Sequence, residues 1–192
     1  MSSTEIVEKK QEVRQSLLKK RKKLTDDELE TASRVICDRI CHLDMFKDAE
    51  FVHVYLPIKS KKEVNTLPLI EEMFREHKRI VVPITEFDRI ALRHVILKDI
   101  SDLRKNKWGV PEPVHQEKID IDRLDLVITP MVGGDFERNR IGYGKGYYDS
   151  FLHQVDCPKI GLLFDFCLVP ELPVEQHDVK LDILVTENRI IH

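Results

Sequence analysis

One segment of the 192-residue chain concentrates the residue types that bind phosphate. This glycine-rich segment (residues 139–149) reads Asn-Arg-Ile-Gly-Tyr-Gly-Lys-Gly-Tyr-Tyr-Asp, with three alternating glycines around Lys145. Glycine adopts positive φ angles and has no Cβ, so backbone N–H groups can approach phosphate oxygens closely. Arg140 and Lys145 add positive charge within the same few residues. The pattern therefore favours an anion-binding site.

The elements on either side are those that would position such a site. The apolar run from Leu126 to Pro130 predicts a strand before the glycine-rich segment, and residues 147–152 predict a helix start after it. Free N–H groups at a helix start, together with the helix dipole, favour a phosphate. Asp149 then stands where it could hold a divalent cation. A glycine-rich turn can also be only a tight turn, but the flanking cations favour the phosphate interpretation.

The spacing of the glycines differs from two common nucleotide motifs. A Walker loop would need glycine at position 139 and Ser or Thr at 146, where Asn139 and Gly146 stand. The dinucleotide fingerprint needs Gly-x-Gly-x-x-Gly, whereas this chain has Gly-x-Gly-x-Gly. Neither motif accounts for the segment.

Length and composition limit the class of protein. With 42% hydrophobic residues the chain can bury one core, which favours a single domain over residues 1–192. The net charge of -3 gives no strong attraction to nucleic acid or membranes, and the apolar runs are shorter than the ~20 residues that cross a bilayer. The four cysteines lack metal-site spacing and no secretory signal is present, which predicts reduced thiols and a cytoplasmic protein.

Alternating secondary-structure patterns predict an α/β fold. Apolar periodicity predicts helices from Ile6 to about Leu24 and, after a capping box at Thr25, through Leu43. Another helix is expected from Leu67 to about Glu76, with Thr66 as its cap. Strands are expected at residues 51–56, 79–83, 90–96, 124–129, 159–164 and 183–186. We expect a mostly parallel sheet with its ligand loop beyond the carboxyl end of a strand, and His94 facing solvent or a neighbouring strand.

The amino end is locally basic. The segment from Lys9 to Lys23 contains eight Lys or Arg residues against one acid, Glu12. Three interpretations are a solvated charged face, a nucleic-acid surface and phosphate capture at the active site. The predicted helix has no aromatic residue on which bases could stack, which argues against nucleic acid. Lys10 and Arg14 share one helical face, and Lys19 to Lys23 are interpreted as solvated.

The glycine-rich segment resembles the signature of the 5-formyltetrahydrofolate cyclo-ligases, also called 5,10-methenyltetrahydrofolate synthetases. Length, motif order and both chain ends agree with that family. The resemblance implies a three-layer sandwich with a mostly parallel sheet, related to the NagB/RpiA/CoA-transferase group. It also implies that the protein is a monomer that binds ATP, Mg²⁺ and 5-formyltetrahydrofolate, with or without a polyglutamate tail. Neither nucleic acid nor a membrane is expected as a partner.

The implied reaction is ATP-dependent cyclisation of 5-formyltetrahydrofolate to 5,10-methenyltetrahydrofolate with release of ADP and phosphate. In the family mechanism the formyl oxygen attacks the γ-phosphate, N10 attacks the activated carbon, and phosphate leaves. No protein nucleophile is required, so the protein positions the reactants and neutralises charge.

The resemblance also assigns residues. Lys145 and Arg140 would offset the charge that develops during transfer. ATP would contact Lys10, Arg14, Arg140, Ile141, Gly142, Tyr143, Gly144, Lys145, Gly146, Tyr147 and Tyr148. The pterin pocket would be lined by Glu63, Trp108, Tyr143 and Tyr147. Magnesium would be held by Asp149 and by Asp182, which resembles part of the family's terminal His-Asp motif.

Three positions depart from the family pattern. Gly134 stands where relatives have phenylalanine, so the pocket is wider or another side chain fills the space. Arg138 stands where relatives have glycine, and the loop before Glu63 is two residues longer than usual. Asp135, next to Gly134, is either a loop cap or a ligand.

Two other functions remain open from the sequence. Another small-molecule phosphotransferase on the same scaffold would turn over ATP with a different acceptor. A non-catalytic nucleotide- or RNA-binding module would show salt-sensitive RNA binding and no ATP hydrolysis.

Overall fold

Within residues 3–86, 91–106 and 109–192, which a computed structural model describes, the chain forms five α-helices and twelve strands. The helices are α1 (Ser3–Arg21), α2 (Asp26–Cys41), α3 (Asp44–Asp48), α4 (Leu67–Arg75) and α5 (Tyr147–Leu152). The strands are β1 (Phe51–Val54), β2 (Arg79–Glu86), β3 (Ala91–Leu97), β4 (Leu103–Lys105), β5 (Pro111–Pro113), β6 (Leu126–Pro130), β7 (Gly133–Asp135), β8 (Arg140–Ile141), β9 (Lys159–Leu162), β10 (Leu168–Val169), β11 (Ile183–Val185) and β12 (Ile190–Ile191).

A seven-stranded sheet organises the fold, in the order β12-β11-β9-β6-β1-β2-β3. Its five central strands are parallel, and β12 and β3 pair antiparallel at the two edges. A mixed α/β fold with a mostly parallel sheet is thereby confirmed. Two small sheets, β10-β7-β8 and β4-β5, stand apart from it.

Side chains on both faces of the central sheet are buried, because helices cover each face. On one face, Val52 and Val54 of β1 pack in a core that includes Ile40 of α2 and Met73 of α4. On the other face, alternate strand residues such as Val127 pack against Phe151 and Leu152 of α5. Strands buried on both faces read as continuous apolar runs, which explains why they are visible in the sequence.

Side-chain capping predicted from the sequence is confirmed at the start of α2 and is wrong at the start of α4. The capping box at Thr25 is confirmed, since its side chain accepts from the Glu28 N–H and Glu28 reaches back to the Thr25 N–H. Thr66 does not cap α4, because its hydroxyl donates to the Tyr55 carbonyl oxygen at 2.7 Å. Asn65 accepts the hydrogen bond from the Leu67 N–H instead. The tertiary contact wins over the local one.

His94 was expected to face solvent or a neighbouring strand, and the structure shows that it does not face solvent. It is 8% exposed on edge strand β3, and its ring centroid lies 4.2 Å from that of Phe151 in α5. The ring of His53 from β1 lies 5.2 Å away. The aromatic cluster of α5 therefore covers this end of the sheet.

The strand order places a crevice at the carboxyl ends of β1 and β6. From β1 the chain moves outward to β2 and β3, and then returns to β6 on the other side of β1. Loops leaving two adjacent parallel strands in opposite directions open a ligand site at this switch point. None of the described helices is both long and apolar enough to span a bilayer.

Candidate active site

A cavity of about 850 Å³ lies at this carboxyl edge of the sheet. Its walls come from α1, the loop after β1, the end of β2, the glycine-rich segment, and the loop before β11. The structure therefore brings together the basic amino end, the loop that carries Glu63 and the glycine-rich segment, which are far apart in the sequence.

The glycine-rich segment bends where its glycines adopt positive φ. Gly144 has φ +80° and Gly146, the N-cap of α5, has φ +73°, both as expected for a tight glycine turn. Arg14 packs over this bend, because its Nε donates to the Gly142 carbonyl oxygen at 2.7 Å. A Cβ added at Gly144 would lie 3.1 Å from Cζ of Arg14. The absent side chain is what allows the guanidinium to approach the backbone.

Lys145 and Ile141 differ in what they offer to the cavity. Lys145 is exposed, and in the described part of the chain its ammonium makes no hydrogen bond or ion pair. Ile141 is 2% exposed and packs with Leu17 and Val132 in a small apolar core beneath the segment. Lys145 is thus available to a ligand, while the Ile141 side chain supports the loop.

Arg140 and Asp149 form an ion pair between Nη2 and Oδ1. The side chain of Arg140 is 4% exposed and that of Asp149 is 26% exposed. Nε of Arg140 is buried without a hydrogen-bond partner among the described residues, as is the Tyr148 hydroxyl. The site therefore contains polar groups beside the cavity that the described protein atoms leave unsatisfied.

Lys10 is held by two carboxylates at the other side of the cavity. Its Nζ lies 2.8 Å from Oε2 of Glu175 and 2.7 Å from Oδ1 of Asp178. With His177, these two acids form a cluster whose ligand atoms lie within 4.8 Å of one another. Glu175 is not among the residues predicted from the sequence, because an acidic residue in a loop shows no periodicity that would mark it.

Asp182 does not line the cavity, whereas Asp149, the residue with which it is predicted to hold magnesium, does. It precedes β11, and its Oδ2 accepts from the N–H of Lys159, the first residue of β9, at 2.8 Å. Both positions are at the amino edge of the parallel sheet, opposite the cavity. The Asp182 side chain thus joins the starts of β9 and β11. Asp178, in the same motif, is the aspartate that lines the cavity.

Glu63 is buried on the far wall of the cavity. It is 6% exposed, and Oε2 accepts from the Ile58 N–H at 2.7 Å. Burial raises the pKa of Glu63, against the opposing effects of hydrogen bonds from Ile58 and Tyr143 and of the charge on Arg21. A buried carboxylate with few partners is a strong acceptor for a ligand N–H group.

Three tyrosines of the glycine-rich segment also line the cavity. The Tyr143 hydroxyl is shared between Glu63 and Arg21, and Nζ of Lys61 lies 4.1 Å from its ring centroid. Tyr147 and Tyr148 line the cavity at the start of α5. Trp108 lies outside the described residues.

Arg21 corrects the interpretation of Lys19 to Lys23 as a solvated run. The other four residues are exposed, but Arg21 is 2% exposed and makes three hydrogen bonds inside the protein. It stands eleven residues after Lys10 and seven after Arg14, on the same face of α1. That spacing is the signal that could have separated Arg21 from its neighbours.

The family departures have structural explanations. At Gly134, a Cβ would lie 2.7 Å from Cε of Met131 and 2.8 Å from Cδ1 of Leu184, so neighbouring side chains fill the space and the pocket is not widened there. Arg138 adopts φ +66°, a conformation that glycine would take without strain. Asp135 is fully buried and accepts from Glu137 N, Asn139 N, Asn139 Nδ2 and Leu172 N, which makes it a loop cap.

The fold and the cavity define an α/β protein with a candidate ligand site at a topological switch point. The profile of the 5-formyltetrahydrofolate cyclo-ligase family matches residues 6–187. A probable 5-formyltetrahydrofolate cyclo-ligase of Schizosaccharomyces pombe is 31% identical over 95% of this chain and 97% of its own length. The Escherichia coli K12 5-formyltetrahydrofolate cyclo-ligase is 30% identical over 89% and 96%, respectively.

Solved structures agree with the sequence relatives. The NMR structure of Aquifex aeolicus 5,10-methenyltetrahydrofolate synthetase superposes with a TM-score of 0.82 at 31% identity, over 94% of this chain and 91% of that chain. The Mycoplasma pneumoniae 5,10-methenyltetrahydrofolate synthetase gives a TM-score of 0.75 at 24% identity, over 93% and 98%, and supports the fold. The chain belongs to the 5-formyltetrahydrofolate cyclo-ligase family, and thus to the ligases of folate metabolism.

Proposed function

We propose that the protein cyclises 5-formyltetrahydrofolate to 5,10-methenyltetrahydrofolate in an ATP- and Mg²⁺-dependent reaction, by phosphorylation of the formyl oxygen. The observation that carries this proposal is that the same cavity is lined by the buried carboxylate of Glu63 and by the glycine bend, residues 142–146 of the glycine-rich segment with Lys145 among them. A phosphoryl donor and a hydrogen-bond-donating acceptor can therefore lie side by side in the same space.

The glycine bend supports a triphosphate site. One end of the cavity is surrounded by the ammonium of Lys145, the guanidinium of Arg14 and the backbone at Gly144 and Gly146. Nε of Arg140 is buried and has no hydrogen-bond partner within the described ranges, so it adds a donor that a phosphate oxygen would satisfy. When bound, ATP supplies the phosphoryl group that makes the formyl oxygen a leaving group. These cations would offset the charge that develops on the transferred group.

Carboxylates suited to Mg²⁺ flank the same end. Asp149 and Asp178 line the cavity, and oxygen ligands are those that Mg²⁺ prefers. Each is now neutralised by a cation of the protein, Asp149 by Arg140 and Asp178 by Lys10. We infer that Asp149 and Asp178, not Asp182, hold the metal, and that Arg140 and Lys10 turn toward phosphate oxygens when it binds.

The opposite wall suits a reduced pterin. Glu63 offers a carboxylate to ring N–H groups, and Tyr143 and Tyr147 provide flat surfaces beside it. The largely apolar side chains of Tyr55, Leu56 and Leu92 exclude water from this part of the cavity. Binding of both substrates in one cavity would hold the formyl oxygen against the γ-phosphate, so that orientation supplies much of the rate.

The proposal is tested by following the methenyl product by its absorbance with purified protein and 5-formyltetrahydrofolate. We expect product only when ATP and Mg²⁺ are both present, with one ADP formed for each product molecule. ATP turnover that does not depend on 5-formyltetrahydrofolate, with no methenyl product, would instead favour another phosphotransferase activity.

A further inference from the structure

Arg21 lies at the last turn of α1 and reaches into the protein beneath the cavity. It is 2% exposed, and its Nη2 donates to the carbonyl oxygens of Met131 and Val132 at 2.6 and 3.0 Å. Both carbonyls belong to the turn that leaves β6 and leads into the glycine-rich segment. The guanidinium is therefore fixed in place by the backbone of the site, with Nη1 left for another partner.

That partner is the hydroxyl of Tyr143. Nη1 of Arg21 donates to it at 3.1 Å, and the hydroxyl in turn donates to the Glu63 carboxylate. Glu63 receives a second hydrogen bond from the Ile58 N–H at 2.7 Å. A chain of contacts thus runs from α1 through the glycine-rich segment to the loop after β1.

We propose that Arg21 is a positioning residue of this active site, which orients the Tyr143 hydroxyl and, through it, keeps the Glu63 carboxylate facing the cavity. Arg21 itself does not line the cavity, so its action on a ligand is through Tyr143 and Glu63. The inference rests on the proposed function for its effect on substrate, but its effect on Glu63 belongs to the free protein.

The charges around Glu63 support this role. Arg21 from α1 and Lys61 from the same loop favour the carboxylate. Among the described residues, the other titratable groups that face it are Tyr55, Tyr143 and Tyr148. Burial raises the pKa of Glu63, and Arg21 opposes that rise. Lys61 interacts with the ring of Tyr143 and lies on an exposed loop, so water screens its charge more than that of Arg21. Loss of Arg21 should therefore raise the pKa of Glu63 further.

The test compares Arg21→Met with Arg21→Lys, and uses Lys20→Met as the matched control. Lys20 is the exposed neighbour of Arg21 on the same helix. The pKa of Glu63 is read in the free protein by carbon-13 NMR of the glutamate carboxyl carbons, with its signal assigned from Glu63→Gln. We expect Arg21→Met to raise this pKa, Arg21→Lys to lie closer to the wild type, and Lys20→Met to match it.

Kinetics supply the second measurement. At pH 7 we expect Arg21→Met to raise the KM for 5-formyltetrahydrofolate about tenfold, as for a lost charge-assisted hydrogen bond. The loss should shrink as the pH rises, because a raised pKa leaves more of Glu63 protonated at the lower pH. The KM for ATP should change little. An unchanged Glu63 pKa, or a pH-independent loss shared by both substrates, would overturn the proposal and indicate a purely structural Arg21.

A second variant covers the case in which Arg21→Met fails to fold. Tyr143→Phe keeps the contacts between Arg21 and the carbonyls of Met131 and Val132, but removes the hydroxyl between Arg21 and Glu63. It should also raise the Glu63 pKa, and no rise would contradict the relay. A wild type without cyclo-ligase activity would refute the proposed function, while the NMR result would still decide the role of Arg21.

Discussion

Lys10 of α1 and Asp178, 168 residues later, form a close ion pair with 2.7 Å between Nζ and Oδ1. The Lys10 side chain is 10% exposed and that of Asp178 is 14% exposed, so this pair is poorly screened. Both residues line the cavity. The amino-terminal helix is therefore tied to the loop before β11 through the two groups that we propose contact phosphate and metal.

The first prediction separates the two aspartates of the terminal motif. Asp178→Asn should weaken binding of Mn²⁺ in the presence of ATP at least about tenfold, because it removes a ligand that lines the cavity. Asp182→Asn is the matched control, since Asp182 brackets Lys159 at the opposite edge of the sheet. Electron paramagnetic resonance of free Mn²⁺ measures both. Equal losses, or a larger loss with Asp182→Asn, would restore Asp182 as the ligand.

The second prediction opposes function and stability at Glu63. Glu63→Gln should weaken 5-formyltetrahydrofolate binding about tenfold, because a charge-assisted acceptor is lost. The same change should raise the unfolding temperature at pH 8. Burial raises the pKa of Glu63 in the folded protein above its value in the unfolded chain. Glu63 therefore adds to folding stability below its unfolded pKa, and this contribution is lost as the pH rises through its folded pKa.

Calorimetry at two pH values checks this. The stability gain of Glu63→Gln should be large at pH 8 and small near pH 4, where Glu63 is protonated in the unfolded chain as well. A variant that is less stable than the wild type at pH 8 would show that the carboxylate stabilises this fold.

The third prediction concerns Asp135 as a cap. Its two carboxylate oxygens accept four hydrogen bonds, two of them from the backbone of the turn that it closes. In Asp135→Asn an NH2 group, which donates and cannot accept, replaces one carboxylate oxygen, so we expect a loss of about 3 kcal/mol in the free energy of unfolding. Urea denaturation measures it. A loss below about 0.5 kcal/mol would contradict the capping role.

The fourth prediction is a pH dependence of stability from His94. Burial lowers the pKa of His94 to about 4, and it lies against His53, whose pKa burial also lowers. A lowered pKa contributes stability that is present above the unfolded value near 6.5 and lost as pH falls toward the folded value. His94→Phe keeps the contact with Phe151 and should reduce the stability lost between pH 7 and 5 by about 2 kcal/mol. Identical pH curves would contradict it.

What the sequence could predict was set by local patterns. The strands were visible because β1, β6 and β9 are buried on both faces, and the glycine bend because Gly144 and Gly146 need positive φ. The capping box at Thr25 is likewise complete within four residues. Each of these depends on neighbours in the chain.

What it could not predict depends on partners far away in the chain. Asp178 and Asp182 are four residues apart, and only the direction of β11 shows that they lie at different edges of the sheet. In the sequence Arg21 resembles its exposed basic neighbours, and it is buried because its partners, the carbonyl oxygens of Met131 and Val132, lie more than 100 residues away along the chain. Thr66 had the sequence of a cap, but the Tyr55 carbonyl competes for its hydroxyl.

The central claim is that the glycine bend holds the transferred phosphate through Lys145. The direct measurement is methenyl product formation by Lys145→Ala, beside Lys23→Ala, which changes an exposed lysine two residues after the end of α1 that does not line the cavity. We expect Lys145→Ala to lose at least about 100-fold in kcat, as for a lost transition-state contact, with an unchanged unfolding temperature. Lys23→Ala should keep wild-type turnover, and a Lys145→Ala protein that matches it would contradict the account.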